Sequence, residues 1–189
     1  MACSDISAGR QEVCKDSIGG LQGVYFMNYT TSSFVIDDTG TEATNPDYGM
    51  ITDFPADSTV YYYELKGTSA YTETVNSSRE NGTTFFSQEL TLNLKKLTNE
   101  MTTQMKLLAY GRPIIFVHTK AGDTLALGLR NGADLTGGTI QTGAGLGDLY
   151  GYSLTFTGEE DNNARFLYGS SKNDPFEGLG VKPTNILYS

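Results

Sequence analysis

The chain has 189 residues, of which 38% are hydrophobic and 19% charged, with 22 glycines, two cysteines, one histidine and no tryptophan. This length fits one domain that buries enough surface to fold without a metal or a disulfide. The formal net charge is −9, and its excess lies in residues 1–94, which carry 4 bases and 13 acids against 9 of each in residues 95–189. This distribution disfavours nucleic-acid binding through a basic patch, but it is compatible with an acidic surface that repels DNA.

Residues 1–20 are predicted to form an N-terminal arm that docks on another surface. They lack the basic region and the apolar run of a signal peptide. The spacing of Cys3 and Cys14 is neither that of a zinc knuckle nor that of a redox motif, so reduced structural thiols are favoured over a disulfide. No segment approaches 18 consecutive apolar residues, so we expect no membrane segment and synthesis in a cytoplasm.

The first half of the chain is typical of β-structure. Runs of β-forming residues predict strands at 21–29, 33–37, 58–66 and 70–75. The segment 37–57 holds six acids, two prolines and no base, which predicts a long exposed loop that is too acidic to pack inside.

The hydrophobic period changes in the middle of the chain. Residues 85–95 alternate apolar and polar side chains, which predicts a strand with one buried face. Apolar side chains then recur at helical spacing over residues 97–110, namely at Leu97, Met101, Met105 and Leu108. We therefore predict one helix at about 97–110, with Thr98 as its N-cap and Gly111 at the C′ position.

The second half returns to β patterns. The predicted elements are a hairpin of residues 113–119 and 124–130, a Gly-rich loop or loose hairpin at 131–147, a strand at 148–158, and a polar C-terminal extension at 161–189 with a short strand at 164–168. No linker or repeat divides them. The sequence thus predicts a single domain, residues 1–189, that is mostly β with one helix.

The residue types that carry chemistry are sparse. His118 stands alone in an apolar run, so we expect a buried strand histidine satisfied by a hydrogen bond. The glycines of 143–148 do not fit a dinucleotide-binding loop, and the acids of 37–42 do not have EF-hand spacing. Tyr61–Tyr63 could stack on sugars, although strands hold tyrosine routinely. We predict no enzyme and no catalytic, cofactor-binding or metal-binding residues.

Four segments in order characterise the chain: SQELTLNLK (87–95), LTNEMTTQMKLLAYG (97–111), IIFVHTKAGDTLALG (114–128) and GDLYGYSLTFTGEE (147–160). Together with CKDSIGGLQGVYFMNY (14–29), they resemble the major tail tube proteins of tailed bacteriophages. The texture is most similar to small tail structural proteins of phages that infect Bacteroidetes. The resemblance covers about half the chain, and none of the segments is an invariant signature.

The resemblance implies a tail-tube-like fold, a β-sandwich or split barrel of two packed sheets flanked by one helix. It implies a structural virion protein whose hexameric rings stack into a conduit for double-stranded DNA from capsid to host. The implied partners are further copies of the chain and the tape-measure, terminator and baseplate or hub proteins, and the implied location is the virion tail. Acids in predicted strands, namely Glu64, Glu73 and Glu89, are candidates to face the lumen.

Two other functions are compatible with the same sequence. One is another ring-forming virion protein, such as a neck, tail-terminator or tail-hub protein. The other is a module that binds host glycans through its tyrosines.

Overall fold

The structure, a computed structural model, describes Gly9, Lys15, residues 17–39, Asn45 and residues 47–188. Most of the predicted N-terminal arm, including Cys3 and Cys14, lies outside the described residues, as does part of the predicted acidic loop.

The described residues form twelve strands and one helix. The strands are β1 (Leu21–Met27), β2 (Val35–Ile36), β3 (Ile51–Asp53), β4 (Thr59–Glu64), β5 (Ala70–Ser78), β6 (Thr83–Lys95), β7 (Ile114–Thr119), β8 (Thr124–Leu127), β9 (Asp134–Gln141), β10 (Gly151–Glu160), β11 (Arg165–Phe166) and β12 (Asn185–Tyr188). The helix, α1, spans Asn99–Tyr110 and lies between β6 and β7. The predicted β-sandwich class with one helix is confirmed.

The strands form three sheets. A six-stranded sheet has the order β11-β8-β7-β1-β4-β12, a four-stranded sheet has the order β5-β6-β10-β9, and β2 pairs with β3. The longest ladder joins β6 to β10, from Gly151 opposite Lys95 to Glu160 opposite Phe86. Sheet pairs are antiparallel except for β12, which runs parallel to β4.

The first hydrophobic core fills the space between the two large sheets. It contains the apolar positions of β6 and β10 on one side and those of β1 and β7 on the other, including Leu90, Leu92, Leu154, Phe156, Val24, Phe26, Ile115 and Val117. The alternation predicted for residues 85–95 is therefore confirmed, because Gln88, Leu90 and Leu92 are buried whereas Glu89 is exposed. Apolar burial of this kind is the main source of the stability of a sandwich.

Helix α1 closes one side of this core. Met105 is buried in the core, and the other predicted stripe residues, Leu97, Met101 and Leu108, pack against it. The side chain of Thr98 accepts a hydrogen bond from the Met101 amide at 3.2 Å, which confirms the predicted N-cap. The prediction for Gly111 was wrong: it is the C-cap, because its N–H completes the last helical hydrogen bond, to the Leu107 carbonyl, while its own backbone is already extended, with φ −88°.

A second core covers the opposite face of the six-stranded sheet. The cover consists of β2, β3 and residues 167–179, and its buried side chains include Ile51, Phe54, Leu167, Phe176 and Leu179. Phe54 stacks on Phe116 of β7 with ring centroids 4.7 Å apart. The prediction that 37–57 is only an exposed loop was therefore wrong, because Ile51 and Phe54 pack inward although the acids Asp38 and Asp57 are exposed.

The C-terminal extension is an integral part of this second layer. Backbone hydrogen bonds tie it to β3 on both sides, from the Tyr168 amide to Ile51 and from the Phe54 amide to Val181. The short strand predicted at 164–168 is confirmed by β11, whereas β12 was not predicted. The central strands β1 and β7 of the six-stranded sheet are thus buried on both faces, and the four-stranded sheet keeps one face open to solvent.

Candidate functional surface

The open face of the four-stranded sheet is a mostly polar surface. Strand alternation and the sheet register place hydroxyl and amide side chains across it, and we call this surface the outer face. It also carries one exposed aromatic side chain, Phe85, opposite Asn76 at one end. Its polar residues include Thr72, Thr74, Ser87, Glu89, Thr91, Asn93, Thr136, Thr139, Ser153, Thr155, Thr157 and Glu159. Neighbouring hydroxyls bond to each other, as in the 2.8 Å contact between Thr136 Oγ1 and Thr157 Oγ1.

The charge of the outer face is weakly negative. Glu89 and Glu159 are exposed on it. The strand alternation also places Asp134 and Lys95 on this face, each at the end of its strand. Phosphate backbones are held by lysine and arginine, so hydroxyls and carboxylates are not the groups that attract a polyanion.

The four-stranded sheet has long edge strands. Among the described residues nothing pairs with the outer sides of β5, of nine residues, or β9, of eight. The edge strands of the six-stranded sheet are short, with two residues in β11 and four in β12. Short strands are one way in which proteins protect sheet edges from pairing with other chains, and β5 and β9 lack this protection.

Each long edge strand also exposes an apolar side chain on the side that faces the core. Val75 lies opposite Phe86 in the ladder and is 60% exposed, and Ile140 lies opposite Tyr152 and is 59% exposed. Both are solvent-accessible because the sandwich ends at these strands. A further strand on either edge would cover them.

The three acids predicted as lumen candidates lie on three different surfaces. Glu64 is exposed at the end of β4, and its carboxylate is 3.0 Å from the ammonium of Lys66. Glu73 lies on the core side of β5, and its Oε1 accepts hydrogen bonds from Gln88 Nε2 at 3.2 Å and from the Ala164 amide at 2.8 Å. Glu89 alone lies on the outer face. The assignment of any of them to a lumen stays a prediction.

Buried polar side chains join the two large sheets near the start of β6. The amide of Gln88 links Glu73 to the six-stranded sheet, because its Oε1 accepts from the Gly128 backbone N–H at 3.0 Å. Glu160 accepts from the backbone N–H groups of Arg130 at 3.0 Å and Asn131 at 2.9 Å. These roles were not predicted, although Gln88 could have been noticed as a polar residue on an otherwise apolar strand face.

His118 is a buried strand residue, as predicted. Its Nδ1 lies 2.9 Å from Thr124 Oγ1, and its Nε2 lies 3.4 Å from the carbonyl oxygen of Lys172. Burial lowers the pKa of His118, and the bond to Lys172 together with the charges of Asp123 and Asp174 only partly offsets this effect. The imidazole is therefore neutral at neutral pH and ties β7 to the C-terminal extension.

We expect His118 to make the fold less stable in mild acid. Its folded-state pKa lies below the usual 6.5, so between these two values the unfolded chain binds a proton that the folded chain does not. The contribution of His118 to the free energy of unfolding should thus be constant above pH 7 and fall as the pH drops below 6.5. Urea unfolding at several pH values gives the change of the free energy of unfolding with pH for the wild type and for His118→Asn. This change should be smaller in the variant, because the variant lacks the imidazole. Equal slopes for the two proteins would contradict the assignment.

The remaining sequence motifs have structural roles. Residues 143–148 form a turn that leads into strand β10, as expected for a β connection. Tyr62 and Tyr63 pack against the two cores on opposite faces of β4. Among the described residues there is no group of three or more His, Cys, Asp and Glu side chains that could hold a metal ion. In the same part of the chain, no helix has the length and apolar character needed to cross a bilayer.

No protein-family model matches the chain, and no curated protein or solved structure matches it either. The fold and surface together define a β-sandwich with one helix, one polar sheet face and two long edge strands. The resemblance to tail tube proteins stays a prediction.

Proposed function

We propose that this chain is the tube subunit of a bacteriophage tail, located in the virion and assembled from copies of itself. The observation that carries the proposal is the four-stranded sheet, whose hydroxyl-rich outer face lies between two long edge strands. Tape-measure, terminator and baseplate or hub proteins are its partners under this proposal, and the outer face performs no catalysis.

The proposed ring closes through the two long edge strands of the four-stranded sheet. Strand β5 of one copy pairs with β9 of the next, and their lengths of nine and eight residues match. Each such junction covers Val75 of one copy and Ile140 of its neighbour. A contact between two different surfaces of the same molecule closes into a ring when its rotation fits, and here it makes the four-stranded sheets one continuous barrel.

The outer face then lines the channel of the ring. Glu89 and Glu159 supply negative charge there, while hydroxyl side chains supply a hydrated wall. Double-stranded DNA meets no cluster of cations on such a wall and passes without being held. Of the three acids predicted from sequence, Glu89 fits this role, whereas the carboxylate of Glu73 already accepts two hydrogen bonds within the subunit.

Negative-stain electron microscopy of the purified chain tests the proposal. We expect six-fold rings or tubes with a central channel at high protein concentration. Twelve-fold collars would favour a neck protein, and single capping rings that never stack would favour a tail terminator. A chain that stays monomeric at all concentrations, and gives discrete glycan-array signals, would favour the glycan-binding alternative.

A further inference from the structure

We propose that Asn81 is a site of spontaneous covalent modification, at which the peptide nitrogen of Gly82 attacks the side-chain amide and expels ammonia. The product is a cyclic imide that water opens to a mixture of aspartate and isoaspartate. The chain contains two Asn-Gly pairs, Asn81-Gly82 and Asn131-Gly132. The structure leaves the first pair free to react and holds the second in place. This inference does not rest on the proposed function.

The reaction needs only water as a second reactant. A C–N bond forms between the Gly82 nitrogen and Cγ of Asn81, the bond from Cγ to the side-chain nitrogen breaks, and ammonia leaves with the proton that the Gly82 nitrogen gives up. Water then adds to one of the two imide carbonyl carbons and breaks its C–N bond, and the nitrogen regains a proton. Opening at the side-chain carbonyl gives aspartate, and opening at the main-chain carbonyl gives isoaspartate. An amide and a water molecule have become a carboxylic acid and ammonia, without oxidation or reduction.

Asn81 and Gly82 lie in the turn that joins β5 to β6. Both residues are exposed, and a Cβ at Gly82 would meet nothing within 4 Å. The side-chain amide of Asn81 and the backbone N–H of Gly82 have no hydrogen-bond partner among the described residues. The backbone N–H of Asn81 donates to Ser78 Oγ at 3.3 Å, which leaves both reacting groups free. The nitrogen and the carbon that must meet can therefore approach each other without a bond being broken first.

The pair Asn131-Gly132 has the same chemistry but is held by hydrogen bonds. The side-chain nitrogen of Asn131 donates to the carbonyl oxygen of Glu159 at 2.7 Å, and the Gly132 N–H donates to the carbonyl oxygen of Gly128 at 3.0 Å. Gly132 is also buried, and a Cβ there would lie 2.9 Å from the carbonyl oxygen of Arg112. Both groups that react in the first pair are engaged here, so the cyclic imide cannot form until these bonds break.

The modification changes the charge and the backbone of an exposed hairpin tip. Residues 79–82 lie beyond the last ladder pair, Ser78 opposite Thr83, and each residue of 79–84 is exposed. Either product adds one negative charge there, and isoaspartate also lengthens the main chain by one carbon atom. Because an exposed tip tolerates such changes, we expect the sandwich to stay folded and the altered molecules to accumulate with age.

Peptide mass spectrometry of the folded protein, incubated in neutral buffer, tests the site. Trypsin places the two asparagines on different peptides, residues 80–95 and 131–165, and fragmentation locates the new acid within each. We expect the acid to appear at Asn81 on the order of tenfold faster than at Asn131 in the same sample. Isoaspartate should accompany aspartate, since direct hydrolysis of the side chain gives aspartate alone. Equal rates at the two positions, or aspartate without isoaspartate, would overturn the proposal.

Two controls separate the effect of the fold from that of the sequence. In urea both pairs lose their surroundings, so the rates at Asn81 and Asn131 should become comparable. A difference that persists in urea would show that the structure does not set it. Asn81→Gln keeps an exposed amide but makes the cyclic imide one atom larger, so the acidic form that accumulates in the wild type on ion exchange should be lost. Undiminished accumulation in this variant would place the modification elsewhere and contradict the assignment to Asn81.

Discussion

Replacing Phe116 by alanine is expected to lower the free energy of unfolding by about 3–5 kcal/mol. Phe116 is completely buried in the second core, and its ring contacts those of Phe54 and Phe34 at centroid distances of 4.7 and 5.9 Å. The substitution removes the side chain around which β3 and the segment before β2 are packed. The cavity that it leaves cannot collapse easily, because β7 is held between two neighbours in the six-stranded sheet. Urea unfolding followed by circular dichroism measures the loss.

Phe166→Ala is the matched control for this experiment. Phe166 belongs to β11 of the same sheet but is 42% exposed, so its removal should cost about 1 kcal/mol or less. If Phe116→Ala costs no more than Phe166→Ala, the cover is not packed on the sheet as described. The comparison thus tests the second core, which the sequence did not predict.

Replacing both Val75 and Ile140 by lysine is expected to abolish ring formation while leaving the monomer folded. Both side chains are exposed in the monomer, so their replacement removes little buried surface from it. In the proposed ring each would instead place a charged ammonium group on the core side of a newly formed strand pair. Core-facing lysines on edge strands are a device by which proteins prevent sheets from joining. Sedimentation velocity and negative-stain microscopy report the assembly, and circular dichroism reports the fold.

The control places two lysines on the opposite face of the same two strands. Thr72 and Thr139 lie on the outer face of β5 and β9, so Thr72→Lys with Thr139→Lys adds equal charge without blocking the junction. Rings should form with this control and be absent with the double variant at Val75 and Ile140. Normal rings from the latter would show that β5 and β9 are not the joined edges.

The features that the sequence predicted are those encoded by local periods. The alternation around Leu90 and the helical stripe through Met105 depend on neighbours a few residues away, and both are confirmed. The burial of Ile51 and the pairing of β12 with β4 depend on partners far along the chain. A local pattern does not contain such contacts, so composition favoured a solvated loop and a polar tail instead.

From the sequence, the candidate surface was predicted only as an excess of acidic residues and not as one face of a sheet. Glu73 and Glu89 were grouped because both are acids in strands, yet they lie on opposite sides of the four-stranded sheet. Parity could have separated them, since Glu89 follows Gln88 and precedes Leu90, whereas Glu73 shares its side with Tyr71. The exposed Val75 had no such signal, because a β-branched residue in a strand is equally typical of a core position. Ile140 had none either, since it belongs to β9, in a segment predicted as a Gly-rich loop or loose hairpin.

The burial of the central strands β1 and β7 on both faces has a mechanical consequence. A sheet with one open face bends by sliding its strands over a single packed layer, but here any bending must shear two close-packed cores at once. We therefore expect the six-stranded sheet to resist bending more than the four-stranded sheet does. In the proposed tube, this stiffness would keep the channel round under lateral load without any change in the residues that line it.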